Sequence, residues 1–147
     1  MGIQIKNIDT IRGQLKGLMR NVEFDIIQAM KFAGEDFVKD ARKQKKSQGG
    51  FGDVTGNLRS SIGFAILKDG EEIFGDFKGN ANGIASAKAA ISEIPKNKGL
   101  QMIGIAGMNY ASIVEGKGMN VISRQAETLI IDLKDYIKEI ENKYKTR

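Results

Sequence analysis

The segment IGFAILKDGEEIFGDF, residues 62–77, decides the fold of this chain. Its first half places large apolar side chains at every second position, which predicts a strand whose apolar face is formed by Ile62, Phe64 and Ile66. The pair Asp69-Gly70 predicts a two-residue hairpin turn, because both residue types tolerate the positive φ that such a turn requires. Residues 73–77 are then the returning antiparallel strand.

A long helix is predicted before this hairpin, from Ile8 to about Lys45. Gly13, Gly17 and Gly34 each cost about 1 kcal/mol relative to Ala inside a helix, so the pattern allows a kink or break near any of them. The apolar positions are three or four residues apart throughout, at Ile8, Ile11, Leu15, Leu18, Val22, Ile26, Met30, Ala33, Phe37 and Ala41.

The chain after the hairpin predicts a loop, one or two further strands and a second helix. Residues 78–99 are rich in Gly, Ala, Asn and Lys and predict a flexible loop, within which Ser86–Glu93 is able to form a short helix before Pro95. Leu100–Met108 predicts a third strand, and Tyr110–Glu115 a fourth short strand or a turn. The closing helix starts at about Val121 and has an apolar stripe at Ile122, Ala126, Leu129, Leu133, Tyr136, Ile140 and Tyr144.

These elements predict an α+β fold, with the long N-terminal and C-terminal helices packed on one face of a small antiparallel sheet of three to four strands. The 147 residues are the usual size of one domain, so we expect a single domain over residues 1–147, with flexible loops at about 47–54 and 78–99. Phe51 lies in the first loop between glycines, where it either contacts a partner or tucks into the core.

Composition removes several classes of function. The chain has no Cys and no His, so it lacks a thiolate nucleophile, a zinc-thiolate site and the commonest proton shuttle and metal ligand. We therefore expect no cofactor and no enzymatic activity.

No apolar run approaches the roughly 20 residues that span a bilayer, and the first residues do not resemble a signal peptide. We expect a soluble protein without membrane contact, cytoplasmic when it is made.

Two patterns around the hairpin resemble functional sites, one a cluster of catalytic carboxylates and the other a phosphate-binding loop, but neither supports that function. Carboxylates at a hairpin tip suit the turn and the solvent, which accounts for Asp69, Glu71, Glu72 and Asp76 without a catalytic role. The spacing of Gly70 and Gly75 resembles half of a phosphate-binding loop, but Asp76 and Phe77 stand where that loop needs Lys and Ser or Thr.

A basic run at the end of the first helix is the best nucleic-acid feature of the chain. Its cations are either a solvated helix end or a sequence-independent contact with DNA phosphates, through Lys39, Arg42, Lys43, Lys45 and Lys46. The formal net charge of +5 permits such a contact without demanding it. A small basic nucleic-acid-binding protein, aided by the C-terminal Lys143, Lys145 and Arg147, is therefore the alternative function.

Two further motifs carry a resemblance to a known family. The first, at residues 55–62, reads Thr-Gly-Asn-Leu-Arg-Ser-Ser-Ile, and the second, at residues 109–118, reads Asn-Tyr-Ala-Ser-Ile-Val-Glu-Gly-Lys-Gly. In this order and about fifty residues apart, they resemble the tail-completion proteins of long-tailed bacteriophages, also called neck or head-tail joining proteins. The chain departs from the usual family pattern after Glu115, at residues 116–120.

The resemblance implies a structural virion protein that forms a ring of six or twelve copies in the phage neck. Its partners would be a head-closure or portal-adaptor protein on one side and a tail-terminator or tail-tube protein on the other. Within the motifs, Arg59, Tyr110 and Glu115 are the candidate interface residues, together with Phe51 in the preceding loop. A contact between Arg59 and Glu115, within the domain or between protomers, is one arrangement that the motifs suggest.

Overall fold

The computed structural model describes residues 8–43, 56–107 and 122–145 of the chain. In these residues four helices surround a three-stranded sheet. The elements are, in chain order, α1 (Ile8–Lys43), α2 (Asn57–Ser60), β1 (Ile62–Lys68), β2 (Glu71–Phe77), α3 (Ala81–Glu93), β3 (Leu100–Ala106) and α4 (Ser123–Lys145).

The sheet is antiparallel and has the order β2-β1-β3, so the segment that decides the fold provides its central strand. Asp69 and Gly70 have φ values of 52° and 86°, which confirms the predicted hairpin turn. The Asp69 carboxylate also accepts a hydrogen bond of 2.8 Å from the backbone N–H of Gly99, which fixes the turn to the residues that precede β3. A register shift between Ile66 and Leu67 marks a bulge in the pairing of β1 with β2.

Both long helices pack on one face of the sheet, as the sequence predicts. Phe37 and Ala41 of α1 are buried against Phe64 and Ile66 of β1, and Leu129 of α4 packs at the margin of the same cluster. The helix α4 runs antiparallel to α1, since Lys143 and Tyr144 near its end contact Asp25 at 2.8 Å and 2.7 Å. The predicted α+β arrangement of the two helices on one sheet face is confirmed.

The second face of the sheet is also covered, which the alternating pattern of β1 did not indicate. Every residue from Ile62 to Leu67 is buried, so the central strand has two apolar faces. Ala65 and Leu67 point to the second face, where they form a separate cluster with Ile91 of α3 and Ile103 of β3. The domain therefore has three layers, with α3 as the third.

The structure of residues 78–99 differs from the predicted flexible loop with a short helix over Ser86–Glu93. Its helix α3 begins five residues earlier, at Ala81, because the side chain of Asn80 accepts a hydrogen bond of 2.9 Å from the backbone N–H of Gly83. Three small or apolar residues spaced by four, Gly83, Ala87 and Ile91, form its buried stripe. The alanine and glycine residues of this segment allow the helix to pack close to the sheet. The composition of the segment by itself resembles that of a loop, which is why a loop was predicted.

Several other predictions differ from the structure only at their bounds or lie outside the described residues. The first helix is continuous through Gly13, Gly17 and Gly34 and its described part ends at Lys43. The third strand ends at Ala106, two residues before its predicted end. The loop at 47–54 and the short fourth strand or turn at Tyr110–Glu115 lie outside the described residues.

Candidate interaction surfaces

Arg59, a candidate interface residue from the sequence, bonds to the end of α1 in the structure. It lies in α2, is partly buried, and its guanidinium donates a hydrogen bond to the backbone carbonyl of Arg42. This hydrogen bond ties α2 to the described end of α1. The other three candidates, Phe51, Tyr110 and Glu115, lie outside the described residues.

Arg42 joins the same junction from the helix side. Its guanidinium donates a hydrogen bond of 2.7 Å to the backbone carbonyl of Ile62, the first residue of β1. Burial lowers the pKa of Arg42 from its usual value, while the nearby carboxylate of Asp76 acts in the opposite direction. Among the described residues the Nε of Arg42 has no hydrogen-bond partner. Arg42 is thus a structural link between α1 and the sheet.

The basic run does not form one positive surface in the described part of the chain. Lys39 and Arg42 line a cleft of about 420 Å³ that also contains Asp76 and Lys78. Lys43 faces a different cleft of about 350 Å³ between α1 and α4, where Arg124 and three carboxylates, Asp36, Asp40 and Asp132, also lie. Lys45 and Lys46 lie outside the described residues. The described cations are therefore divided between two clefts, and each cleft contains carboxylates.

Two of the four hairpin carboxylates have local contacts. Asp69 fixes the turn, and Asp76 lies 3.8 Å from the ammonium of Lys78.

The residues that the structure describes contain no group of acidic or other ligating side chains that could hold a metal ion. None of the described helices combines the length and the apolar character that crossing a bilayer requires.

A first apolar surface lies on the N-terminal part of α1. The 36 residues of this helix extend about 54 Å, whereas a strand of seven residues extends only about 23 Å. The polar contacts of α1 nearest its N-terminus are at Glu23, which pairs with Lys68 of β1, and at Asp25, which contacts Lys143 near the end of α4. Residues 8–22, the N-terminal arm, extend past these contacts, and Leu100 of β3 lies at the base of the arm.

The apolar stripe of α1 continues along this arm, where none of the described helices or strands covers it. Leu15, Leu18 and Met19 are 55%, 46% and 69% exposed. We call Leu15, Leu18, Met19 and Val22 the arm surface. At its base is a shallow cleft of about 380 Å³, with Ile26 and Leu100 among its lining residues and an almost wholly apolar wall.

A second apolar surface lies on the side of the two long helices that faces away from the sheet. Phe32 of α1 is 59% exposed and stands in a groove of about 450 Å³ between α1 and α4. Ala29, Tyr136 and Ile140 provide the rest of its apolar wall, and Asp25, Gln28, Glu139 and Lys143 provide its polar rim. We call it the outer groove. Phe24, eight residues before Phe32, is also exposed.

The sequence reasoning missed both surfaces for the same reason. It placed Leu15, Leu18 and Val22 in the apolar stripe of the helix and did not consider Met19, Phe24 or Phe32. Two signals were available: a predicted helix far longer than the predicted strands can cover, and large aromatic residues outside its stripe.

Comparison with known proteins identifies one family. The family model described as "Bacteriophage HK97-gp10, putative tail-component" matches residues 9–116. This range includes α1, the whole sheet and α3, as well as the segment at residues 109–116 where the second motif lies. No curated protein and no solved structure matches the chain.

Proposed function

The chain belongs to the HK97 gp10-like family of bacteriophage tail components, and on this premise we propose that it joins the DNA-filled head to the tail as a ring in the phage neck. The role is structural and non-catalytic. Its contacts are with a head-closure or portal-adaptor protein on one side, a tail-terminator or tail-tube protein on the other, and further copies of itself around the ring. It is part of the mature virion and assembles in the host cytoplasm.

One observation carries this proposal: the described chain exposes two separate apolar surfaces, of which the arm surface projects beyond the folded body. Contiguous exposed apolar area on a small domain marks a site of association, because its exposure to water is unfavourable. An arm that projects from a three-layer domain is suited to reach an adjacent subunit. The number of copies, six or twelve, and the identity of the neighbours come from the resemblance to tail-completion proteins.

The alternative, sequence-independent DNA binding, has no observation in its favour among the described residues. Such binding requires a continuous positive surface along the phosphate backbone. Lys39 and Lys43 instead face separate clefts that contain carboxylates. We therefore do not propose it as the function.

The test is complementation in vitro. DNA-filled heads from particles that lack this protein are mixed with finished tails, with and without the purified chain, and joined particles are counted by electron microscopy. We expect joined particles only when the chain is present, and we expect to find it in the joined particles. Joining that does not depend on the chain, or its absence from mature particles, would refute the proposal.

A matched pair of variants ties the test to the arm surface. Met19→Glu places a charge in the stripe, and Asn21→Glu places the same charge about 200° further around the helix, since successive residues are about 100° apart. Both residues are exposed, so both variants should fold. We expect Met19→Glu to abolish joining and Asn21→Glu to retain it.

A further inference from the structure

We infer that the arm surface of one copy of this chain packs into the outer groove of the next copy. The contact is heterologous: two different surfaces of the same chain meet, so each copy offers one and receives the other. This inference deepens the proposed function and rests on it for the closure of the contacts into a ring.

Among the described residues, no helix or strand covers Leu15, Leu18 and Met19, which are 55%, 46% and 69% exposed. The described fold reaches the base of the arm through Leu100, and the end of α4 contacts α1 at Asp25. A second copy of the chain is the cover that we propose.

Two arms are poorly suited to pack on each other. The arm contains three cations spaced by four residues, Arg12, Lys16 and Arg20, which form one exposed row beside the stripe. An antiparallel pairing of two arms around a two-fold axis brings the two rows side by side, and like charges at that distance repel. A parallel pairing forces two sheets into the same space, because the stripe continues into the face of α1 that packs on the sheet.

The outer groove has the complementary properties. It is shallow and open and its wall is mostly apolar, so Leu15, Leu18 or Met19 can pack on it. Its rim contains two carboxylates and one cation, whereas the arm contains three cations and one carboxylate, Asp9. Since Asp25 is already bonded to Lys143 and Tyr144, the exposed Glu139 is the carboxylate that we expect to meet the basic row of the next copy.

The two surfaces lie at different places along α1, so one copy can use both at once. Met19 and Phe32 are 13 residues apart, about 20 Å along α1. In the proposed assembly, a copy that inserts its arm into one neighbour receives the arm of a third copy in its own groove. Repetition of such a contact produces a ring when the rotation closes, and a filament when it does not.

The test uses the self-association of the purified full chain, measured by analytical ultracentrifugation. We expect the wild-type chain to associate as its concentration rises, and Met19→Glu and Phe32→Glu each to raise the dissociation constant at least about tenfold. Ile73→Glu, at an exposed apolar residue of β2 outside both surfaces, is the control and should associate like the wild type. All variants are first compared by circular dichroism and thermal unfolding, and both Met19 and Phe32 are more than half exposed.

The decisive sample is an equimolar mixture of Met19→Glu and Phe32→Glu. The first variant retains an intact groove and the second an intact arm, so the mixture should form a one-to-one dimer that does not grow further. If arms paired with arms, Phe32→Glu alone would associate like the wild type and Met19→Glu would add nothing to the mixture, which would overturn the inference. A wild-type chain that remains monomeric up to about 1 mM would also overturn it.

Cysteine cross-linking gives an independent readout, because the chain has no native Cys. Met19→Cys mixed with Phe32→Cys should yield mixed disulfide dimers in preference to dimers of either variant alone. The cross-linking result tests the arm-to-groove contact, whereas the complementation result tests the proposed function, so the two can fail independently. Head-to-tail joining by a chain that does not cross-link through these residues supports the proposed function and refutes the arm-to-groove contact. Cross-linking through these residues without head-to-tail joining supports the arm-to-groove contact and refutes the proposed function.

Discussion

Gly34 of α1 lies against the ring of Phe64, the largest fully buried side chain of the central strand. A methyl group at Gly34 would overlap three atoms of that ring, whereas a methyl group at Gly17 would meet nothing within 4 Å. The helix therefore contains two glycines with opposite expected effects. The first permits close contact between helix and sheet, and the second contributes only its poor helix propensity.

We predict that Gly34→Ala and Gly17→Ala change stability in opposite directions. Overpacking of a core costs about 1 to 3 kcal/mol, which exceeds the gain of about 1 kcal/mol from replacing Gly by Ala in a helix. Gly34→Ala should thus lower the free energy of unfolding in urea, and Gly17→Ala should raise it by up to about 1 kcal/mol. An increase in both variants would show that Phe64 can move away at little cost.

The link between Arg42 and Ile62 should stabilise the junction of α1 with the sheet. Arg42→Met keeps the apolar stem but removes the hydrogen bond to the Ile62 carbonyl. A hydrogen bond from a charged donor contributes about 1.5 to 3 kcal/mol, and relief of the desolvated guanidinium offsets part of the loss. We expect a net decrease of about 1 to 2 kcal/mol in urea unfolding.

Lys39→Met is the control for that prediction, since Lys39 is an exposed cation one turn earlier on the same helix. It should change the free energy of unfolding by less than about 0.5 kcal/mol. Equal effects of the two substitutions would mean that the basic run acts only through its net charge.

Asn80 should determine where α3 begins. Asn80→Ala removes the acceptor for the Gly83 N–H and should lower stability by about 1 kcal/mol, with faster amide exchange in the first turn of α3. Asn80→Asp should retain most of the stability, because Asp is an equally good N-cap residue. Asn97→Ala, at an exposed position outside the helices, is the neutral control. An unchanged exchange rate at Gly83 in Asn80→Ala would contradict the capping role.

The ion pair of Lys68 with Glu23 predicts a specific pH dependence. The hydrogen bond and the charge of Glu23 raise the pKa of Lys68 above its usual value of 10.5. Because the folded pKa exceeds the unfolded one, the contribution of this pair to stability is complete below pH 10.5 and is lost as the pH rises through the folded pKa. The difference in Tm between the wild type and Glu23→Gln should be constant from about pH 7 to 9 and decrease above about 10.5.

Asp135→Asn serves as the control for the pH experiment, because Asp135 is an exposed carboxylate of α4 outside this pair. Its Tm difference from the wild type should not decrease above pH 10.5. A decrease of the same size would assign the effect to general charge repulsion among deprotonating lysines and not to Lys68.

Local patterns in the sequence were sufficient for the main elements. The Asp69-Gly70 turn depends on the φ values that two adjacent residues can adopt, and the stripe of α4 depends on spacing along one helix. Ile62, Phe64 and Ile66 were expected to form one apolar face of a strand and are buried. The two motifs that suggested a phage tail protein are likewise local strings, and the family match includes α1 and the sheet.

Contacts between distant residues could not be read from the same patterns. The sequence left two alternatives for Arg42, a solvated helix end and a contact with DNA phosphates. A cation in that position looks the same when it instead bonds to a carbonyl 20 residues away, as the structure has it. In the sequence, Ala65 and Leu67 stand on the face of the strand opposite to Ile62, Phe64 and Ile66. Only the structure shows that α3 covers this second face. In the segment before Leu100, the composition resembles a loop because small residues suit both turns and close helix packing.

The sequence by itself determined the type and order of the elements, because helix periodicity, strand alternation and turn preferences act over a few neighbouring residues. Only the tertiary structure decided which apolar residues are buried, because burial depends on where the neighbouring elements end. Leu15 and Met30 belong to one stripe on one helix, yet Met30 is buried against the sheet and Leu15 is 55% exposed. The strands of the sheet and the helix α4 end before they reach Leu15, and this difference in length creates the surface that we assign to assembly.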